Sequence, residues 1–222
     1  MTPDERWLSA VWPFVRSWLP APPATVLEIG CGPLGGFVPM LRSAGYEAVG
    51  VDPEAPEGDG YHRAEFERYE APGAVQAVVA CTSLHHVADL AVVLDQVTAA
   101  LAPGGRLVVV EWARERFDAT TARWCFDRLP AGEDGWLHRH RDRWRASGLP
   151  WADYLQGWSA EEGLHAGQDI AAELDARFDR LLLATGPYFF AELAGVTEED
   201  ERAAIDAGQI EANRIEYAGR KR

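Results

Sequence analysis

Two groups of residues in this 222-residue chain have the types and spacing to do chemistry. The first is Glu28-Ile29-Gly30-Cys31-Gly32-Pro33-Leu34-Gly35-Gly36, in which Gly30, Gly32 and Gly35 satisfy GxGxxG. Glycines let ligand atoms approach bare backbone amides, and a helix starting beyond them favours negative charge. Several ligand classes share that pattern. Glu28, two residues ahead of the turn, narrows the choice, because a carboxylate there would repel a pyrophosphate and attract an ammonium. Asp52 lies roughly 20 residues past the glycines, where an acid can accept hydrogen bonds from ribose hydroxyls. Pro53 holds it extended. The second group is His85, His86 and Glu111. An imidazole with an ordinary pKa of about 6.5, oriented by a carboxylate, is a base for a hydroxyl, a phenol or a protonated amine. Equally, the histidine pair can simply pack a loop.

The elements that must position these groups are legible from periodicity. Thr25–Ile29, Ala48–Val51, Val75–Ala80 and Arg106–Glu111 are short apolar runs suited to strands buried on both faces. Phe37–Ala44 and Asp89–Leu101 read as helices between them, the second with Leu90, Val93, Leu94, Val97 and Leu101 on one side. Alternation of this kind implies a doubly wound α/β fold, since parallel neighbours need crossover connections. Its loops at the carboxyl ends of the strands then open on one ligand edge. Ahead of this core, Thr2 and Glu5 form a capping-box pattern with Pro3 at the first helical position. Trp7, Leu8, Val11, Trp12, Val15, Trp18 and Leu19 give that helix an apolar face, and Pro20-Ala21-Pro22-Pro23 stops it. Beyond Trp112, aromatic residues interleave with charges in a mainly helical stretch; Arg180–Ala184 and Arg214–Ala218 read as strands and Glu198–Ala207 as a charged helix. His138, Arg139, His140 and Arg141 read as a solvated face or loop. The chain divides as an N-terminal helix (1–20), a cofactor-binding core (24–112), a helical cap inserted over the ligand edge (113–180) and C-terminal strands and helix (181–222).

Composition removes other classes. Hydrophobic residues at 47% and charged residues at 25% are ordinary for a globular chain, and no apolar run reaches the roughly 18 residues of a membrane span. A formal net charge of −14 repels phosphate backbones and argues against nucleic acid. The three cysteines, Cys31, Cys81 and Cys125, lie far apart without a CxxC pair, which suits neither zinc nor disulfides, so no metal is expected and a reducing cytoplasm fits. The acidic start, Met1-Thr2-Pro3-Asp4-Glu5, lacks a signal-peptide plan.

Four motifs occur in order: Glu28-Ile29-Gly30-Cys31-Gly32, Asp52, Cys81-Thr82-Ser83-Leu84-His85-His86, and Leu101-Ala102-Pro103-Gly104-Gly105-Arg106-Leu107. With them the sequence resembles the class I S-adenosylmethionine-dependent methyltransferases, particularly their small-molecule branch, over residues 24–112. The resemblance implies a Rossmann-like, seven-stranded, mostly parallel sheet, with an aromatic-rich helical insertion after the fifth strand. It implies S-adenosylmethionine as cofactor and S-adenosylhomocysteine as product. The glycine loop (Glu28, Gly30, Cys31, Gly32) would contact the methionine part, Asp52 with Pro53 the ribose, Glu65 with Phe66 the adenine after a third strand near Tyr61–Ala64, and Cys81 with Thr82 would complete the site. Pro33-Leu34 stands where the family commonly has a small polar residue and another glycine. Cys81-Thr82-Ser83-Leu84 replaces the Asn/Asp-Pro-Pro-aromatic tetrad of nucleic-acid amine methyltransferases. The acceptor is then a small molecule enclosed by aromatic residues, with Trp112, Trp124 and Tyr188 as its expected contacts and His85, His86 and Glu111 as the catalytic candidates. Two alternatives stay open: a nicotinamide-dependent oxidoreductase, and a cofactor-binding protein of the same fold without turnover.

Overall fold

The computed structural model describes residues 1–71, 73–132 and 134–222. The chain runs α1 (Pro3–Trp18), β1 (Thr25–Ile29), α2 (Val38–Ser43), β2 (Glu47–Val51), β3 (Tyr61–His62), β4 (Val75–Cys81), α3 (Leu90–Ala100) and β5 (Leu101–Trp112). It continues through α4 (Ala119–Phe126), α5 (Trp136–Ser147), α6 (Trp151–Glu161), α7 (Gly167–Arg177), β6 (Phe178–Gly186), α8 (Glu198–Asp206) and β7 (Arg214–Lys221). These strands form one seven-stranded sheet in the order β3-β2-β1-β4-β5-β7-β6. The first five are parallel; β7 inserts antiparallel between β5 and β6.

The apolar runs become central strands because each buries both faces. Along β4, Val78 and Ala80 pack under α3 and α7 with Val93, Val97, Ile170 and Leu174, while Ala77, Val79 and Cys81 pack with Val11 and Val15 of α1 and Val38 and Leu41 of α2. Each such fully buried side chain contributes roughly 1.5–3 kcal/mol. Parallel register aligns Ile29 with Val51 and Ala80, and Cys81 with Val110, so β1, β2, β4 and β5 finish along one edge. Over that edge sits a third cluster, built around Trp112, Phe117, Phe126, Leu137, Trp151 and Phe189.

Several boundaries differ from those the sequence suggests. β5 begins at Leu101, ahead of the Pro103-Gly104-Gly105 turn, because Leu101 pairs with Val75 and a register shift absorbs the turn before Arg106 meets Ala77. β3 is two residues long and stops at His62. The helical stretch expected over 113–180 splits: α4, α5 and α6 build the aromatic cluster, whereas Ile170 and Leu174 of α7 join the core beneath the sheet. No described helix is long and apolar enough to cross a membrane.

The Thr2–Glu5 capping box forms as read, and α1 is fastened at its start by Arg6. The guanidinium donates to the carbonyls of Phe190, Ala191 and Val196 at 2.8–3.1 Å. Arg6→Met should therefore free α1 from the 190–196 segment. Hydrogen exchange should rise in both while the central strands stay protected, and urea titration should show a loss of about 1–3 kcal/mol; unchanged exchange in the 190–196 segment would refute the clasp.

Candidate active site

The loop after β1 is held from two sides. Gly30 donates its N–H to Val51 O at 2.8 Å, and the Ser83 hydroxyl donates to Ile29 O at 2.9 Å, so the loops after β1 and β4 touch. Gly30 has φ +75°, and a Cβ there would run into Ser83 Cβ, which explains the glycine twice over. At Gly32, φ +61°, a Cβ would find nothing within 4 Å, so no side chain covers this stretch of backbone, although its N–H is taken by Asp52.

Glu28 is spent differently from expectation. It is 1% exposed, and both of its carboxylate oxygens accept from Phe37 N, at 2.8 and 3.0 Å. Burial pushes its pKa up to about 8, against the pull of the Phe37 and Val38 amides and with some help from the charge of Asp52. The N-cap amide ahead of the short α2 is thus taken by Glu28 and not offered to a ligand; Glu28 still borders the recess between α1 and the glycine loop.

That recess, of about 190 Å³, is walled by Asp4, Trp7 and Leu8 of α1 together with Gly30, Cys31, Gly32, Cys81 and Thr82. A second recess, of about 490 Å³, lies across the loop, between Asp52 and Pro53 on one side and Glu65, Phe66 and Val87 on the other. Asp52 accepts from Gly32 N at 3.0 Å and Glu54 N at 2.7 Å, which ties the acid to the loop it faces. Glu65 is exposed at the rim and Phe66 is buried behind it. Both cysteines of the first recess are buried, and burial raises each thiol to about 12, so they act as apolar wall.

Glu111, fully buried, accepts from Ser83 N at 2.8 Å, Leu84 N at 2.6 Å, Trp112 N at 3.1 Å and His85 Nδ1 at 2.6 Å. Burial alone would raise its pKa, but His85 and the amide donors outweigh it and hold the carboxyl below its usual range. His85 Nδ1–H is committed to this carboxylate, so in the neutral ring Nε2 is the hydrogen-bond acceptor. The ring of His86 lies 4.1 Å from that of His85 and borders both the second recess and the aromatic recess on which His85 opens; burial and then His85 lower its pKa.

His85 opens on a third recess, of about 310 Å³, walled by Trp112, Trp136, His140, Trp158 and Tyr188. Tyr188 stacks on Trp112 with centroids 6.0 Å apart and planes at 15°. Tyr188 is placed by its backbone: buried Glu201 accepts from the amides of Tyr188, Phe189 and Phe190 at 2.6–2.9 Å. Thr82 borders all three recesses and, among the described residues, is the one non-glycine with positive φ, +51°. Such a backbone costs a β-branched residue strain that accumulates at functional junctions.

Two expectations change. Trp124 is not brought to this edge; it lies beside Arg128, 4.3 Å from its guanidinium, and lines a separate hollow with Val196 and Ala204. The His138–Arg141 run is not a solvated face: His138 and His140 are buried at 7% exposure while Arg139 points out. The signal was Trp136, His140 and Trp144 at four-residue steps, an aromatic face masked by four arginines in the same helix.

Two outcomes follow. Asp52→Asn should weaken S-adenosylhomocysteine binding at least tenfold, about 1.4 kcal/mol, in calorimetry with the fold retained; equal affinity would sink the ribose assignment. Glu28 has a folded-state pKa above its ordinary value, so the stability of its protonated form is complete below about 4.5 and is lost as pH rises through about 8. Thermal melts should show wild type losing ground to Glu28→Gln across that window, and parallel curves would contradict the burial argument.

The matches to known proteins agree with this geometry. A family model described as a methyltransferase domain matches residues 6–162. The ubiquinone biosynthesis O-methyltransferase of Nitrobacter winogradskyi is 24% identical over 178 residues, covering 67% of this chain and 68% of that protein. Among solved structures, the N-methyltransferase NodS of Bradyrhizobium japonicum in complex with S-adenosyl-L-homocysteine superposes with TM-score 0.55 at 17% identity, over 99% of this chain and 88% of that one. An S-adenosylmethionine-dependent methyltransferase from Mesorhizobium loti superposes with TM-score 0.58 at 19% identity, over 96% and 100%. The family match sets aside the nicotinamide alternative. With a glycine-loop groove ending in Asp52 and a family match across most of its length, the chain belongs to the methyltransferase-domain family, as a class I S-adenosylmethionine-dependent methyltransferase.

Proposed function

We propose that this protein methylates a hydroxyl of a small, flat aromatic acceptor, with His85 as the base. The observation that carries this reading is the His85–Glu111 pair opening on an aromatic recess that shares Thr82 with the cofactor groove. The groove suits S-adenosylmethionine on its own chemistry: bare backbone at Gly32, the Asp52 carboxylate for ribose, and apolar Phe66 and Val87 where a base would lie. Glu65 at the rim is our choice for the adenine amino group. When bound, the cofactor supplies an activated methyl group on sulfur.

The chain's own contribution is alignment, exclusion of water and one proton transfer. Holding donor and acceptor in line is worth effective molarities of about 10⁵–10⁸ M. Trp112, Trp136, Trp158 and Tyr188 offer aromatic faces for a flat acceptor. With the methyl group delivered from the cofactor sulfur to the acceptor oxygen, the hydroxyl proton would pass to His85 Nε2, and Glu111 would stabilise the resulting imidazolium through Nδ1–H. His86, at the rim, is assigned no proton transfer. Residues 1–20 and the aromatic helices after β5 close over the site as parts of one catalytic unit.

A small-molecule partner is favoured over nucleic acid by the net charge of −14. A cytoplasmic setting is supported by three buried cysteines that all remain thiols. Turnover of simple phenols with labelled S-adenosylmethionine tests the reaction. His85→Asn should lower kcat/KM by about 10²–10⁴ with S-adenosylhomocysteine affinity unchanged, and Glu111→Gln should act in the same direction. Full turnover in both variants would end the case for base catalysis.

A further inference from the structure

The aromatic recess holds a second imidazole whose protonation is set by its surroundings. His140 is 7% exposed, and its ring is fixed edge-on between Trp158, 4.3 Å away at 86°, and Trp136, 5.6 Å away at 85°. Its Nδ1 lies 2.9 Å from the hydroxyl of Tyr154, itself buried. Among the described residues Tyr154 has no other acceptor for its proton, and a buried hydroxyl donates where it can. Tyr154 therefore donates to Nδ1, and the remaining proton of a neutral ring sits on Nε2. Burial, followed by Arg143 and Arg139, pulls the pKa of His140 down to about 4, which keeps the ring neutral. Its Nε2 has no partner among the described residues, and the ring borders the recess.

His85 presents the opposite face to the same space, because Nδ1–H is committed to Glu111 and Nε2 is an acceptor. Between its aromatic walls, and beside Thr82 and His86 at the border with the second recess, the recess thus offers an acceptor at His85 and a donor at His140. Resting on the reading of His85 above, we infer that His140 is a specificity-determining residue: its Nε2–H receives a second, hydrogen-bond-accepting oxygen of the acceptor, so the natural substrates are hydroxylated aromatic compounds that also carry a carbonyl or ether oxygen. A ligand lacking that oxygen leaves a desolvated N–H unpaired, and sites built around a polar contact discriminate strongly against such analogues. At about 310 Å³ the recess is at the small end of ligand pockets, which suits an acceptor of one or two rings.

The experiment compares probes of matched shape: the ortho, meta and para hydroxyacetophenones against the corresponding ethylphenols, each methylated with labelled S-adenosylmethionine. Wild type should prefer at least one hydroxyacetophenone over its ethylphenol partner by about tenfold or more in kcat/KM. In His140→Phe that ratio should fall to near one, and His140→Gln, which returns an N–H donor, should recover part of it. Tyr154→Phe, which removes the group that selects the tautomer, should also reduce the ratio. Calorimetry with S-adenosylhomocysteine verifies that each variant is folded. Transfer to both probe series without preference in wild type, or a ratio unchanged in His140→Phe, overturns this inference and leaves the proposed reaction standing. No transfer to any probe by a wild-type protein that binds S-adenosylhomocysteine overturns the phenol reading, and this inference with it.

Discussion

The site depends on a carboxylate that never meets solvent. Glu111 gathers the amides of Ser83, Leu84 and Trp112 and the imidazole of His85 onto one buried group. Leaving a buried charge without donors costs several kcal/mol, so the loop after β4 must close on the end of β5 once the sheet has formed. That closure turns the His85 ring, puts Thr82 into its strained conformation beside Gly30, and aims Trp112 at the recess. A single electrostatic requirement thereby fixes the His85 ring, one wall of the aromatic recess and its junction with the glycine-loop groove.

The same device recurs at the two other loops that frame the edge. Glu28 collects Phe37 N and so closes the glycine loop onto α2, and Glu201 collects the amides of Tyr188, Phe189 and Phe190 and so presents Tyr188. Each loop is therefore shaped by a carboxylate on a regular element beneath it. Arg6 completes the arrangement from the other side by binding the carbonyls of the 190–196 segment, which couples α1, a wall of the first recess, to the strip that follows Tyr188. Groove and recess are consequently parts of one hydrogen-bonded frame.

Glu28 and Glu111 are both buried glutamates at strand ends, yet their pKa values move in opposite directions. Glu111 has His85 and three amides to satisfy it and stays charged. Glu28 has amides alone and a like charge nearby at Asp52, so burial wins. The contrast fits the proposed chemistry: a charged Glu111 would stabilise an imidazolium at His85, whereas Glu28 shapes the glycine loop.

Much of this was legible in the chain itself. The central strands are bounded within a residue or two at β1, β2 and β4, because runs buried on both faces leave little freedom of placement, and the glycine loop with Asp52 follows from local spacing. Local sequence also determined the capping box read at Thr2, since its bonds close within one turn, and the structure adds one of the same kind at Thr197. What the tertiary structure decided is everything that depends on two distant segments meeting. Glu28 could be seen at the strand end but not that Phe37 consumes it; Trp112 and Trp124 looked alike as aromatics, and packing sent one to the recess and the other to a separate hollow. His140 lay hidden in an arginine-rich helix until α6 brought Tyr154 and Trp158 against it. Spacing along a chain reports neighbours on one element, whereas a binding recess is made of side chains from several, and only the packed sheet and its cap bring them to one place.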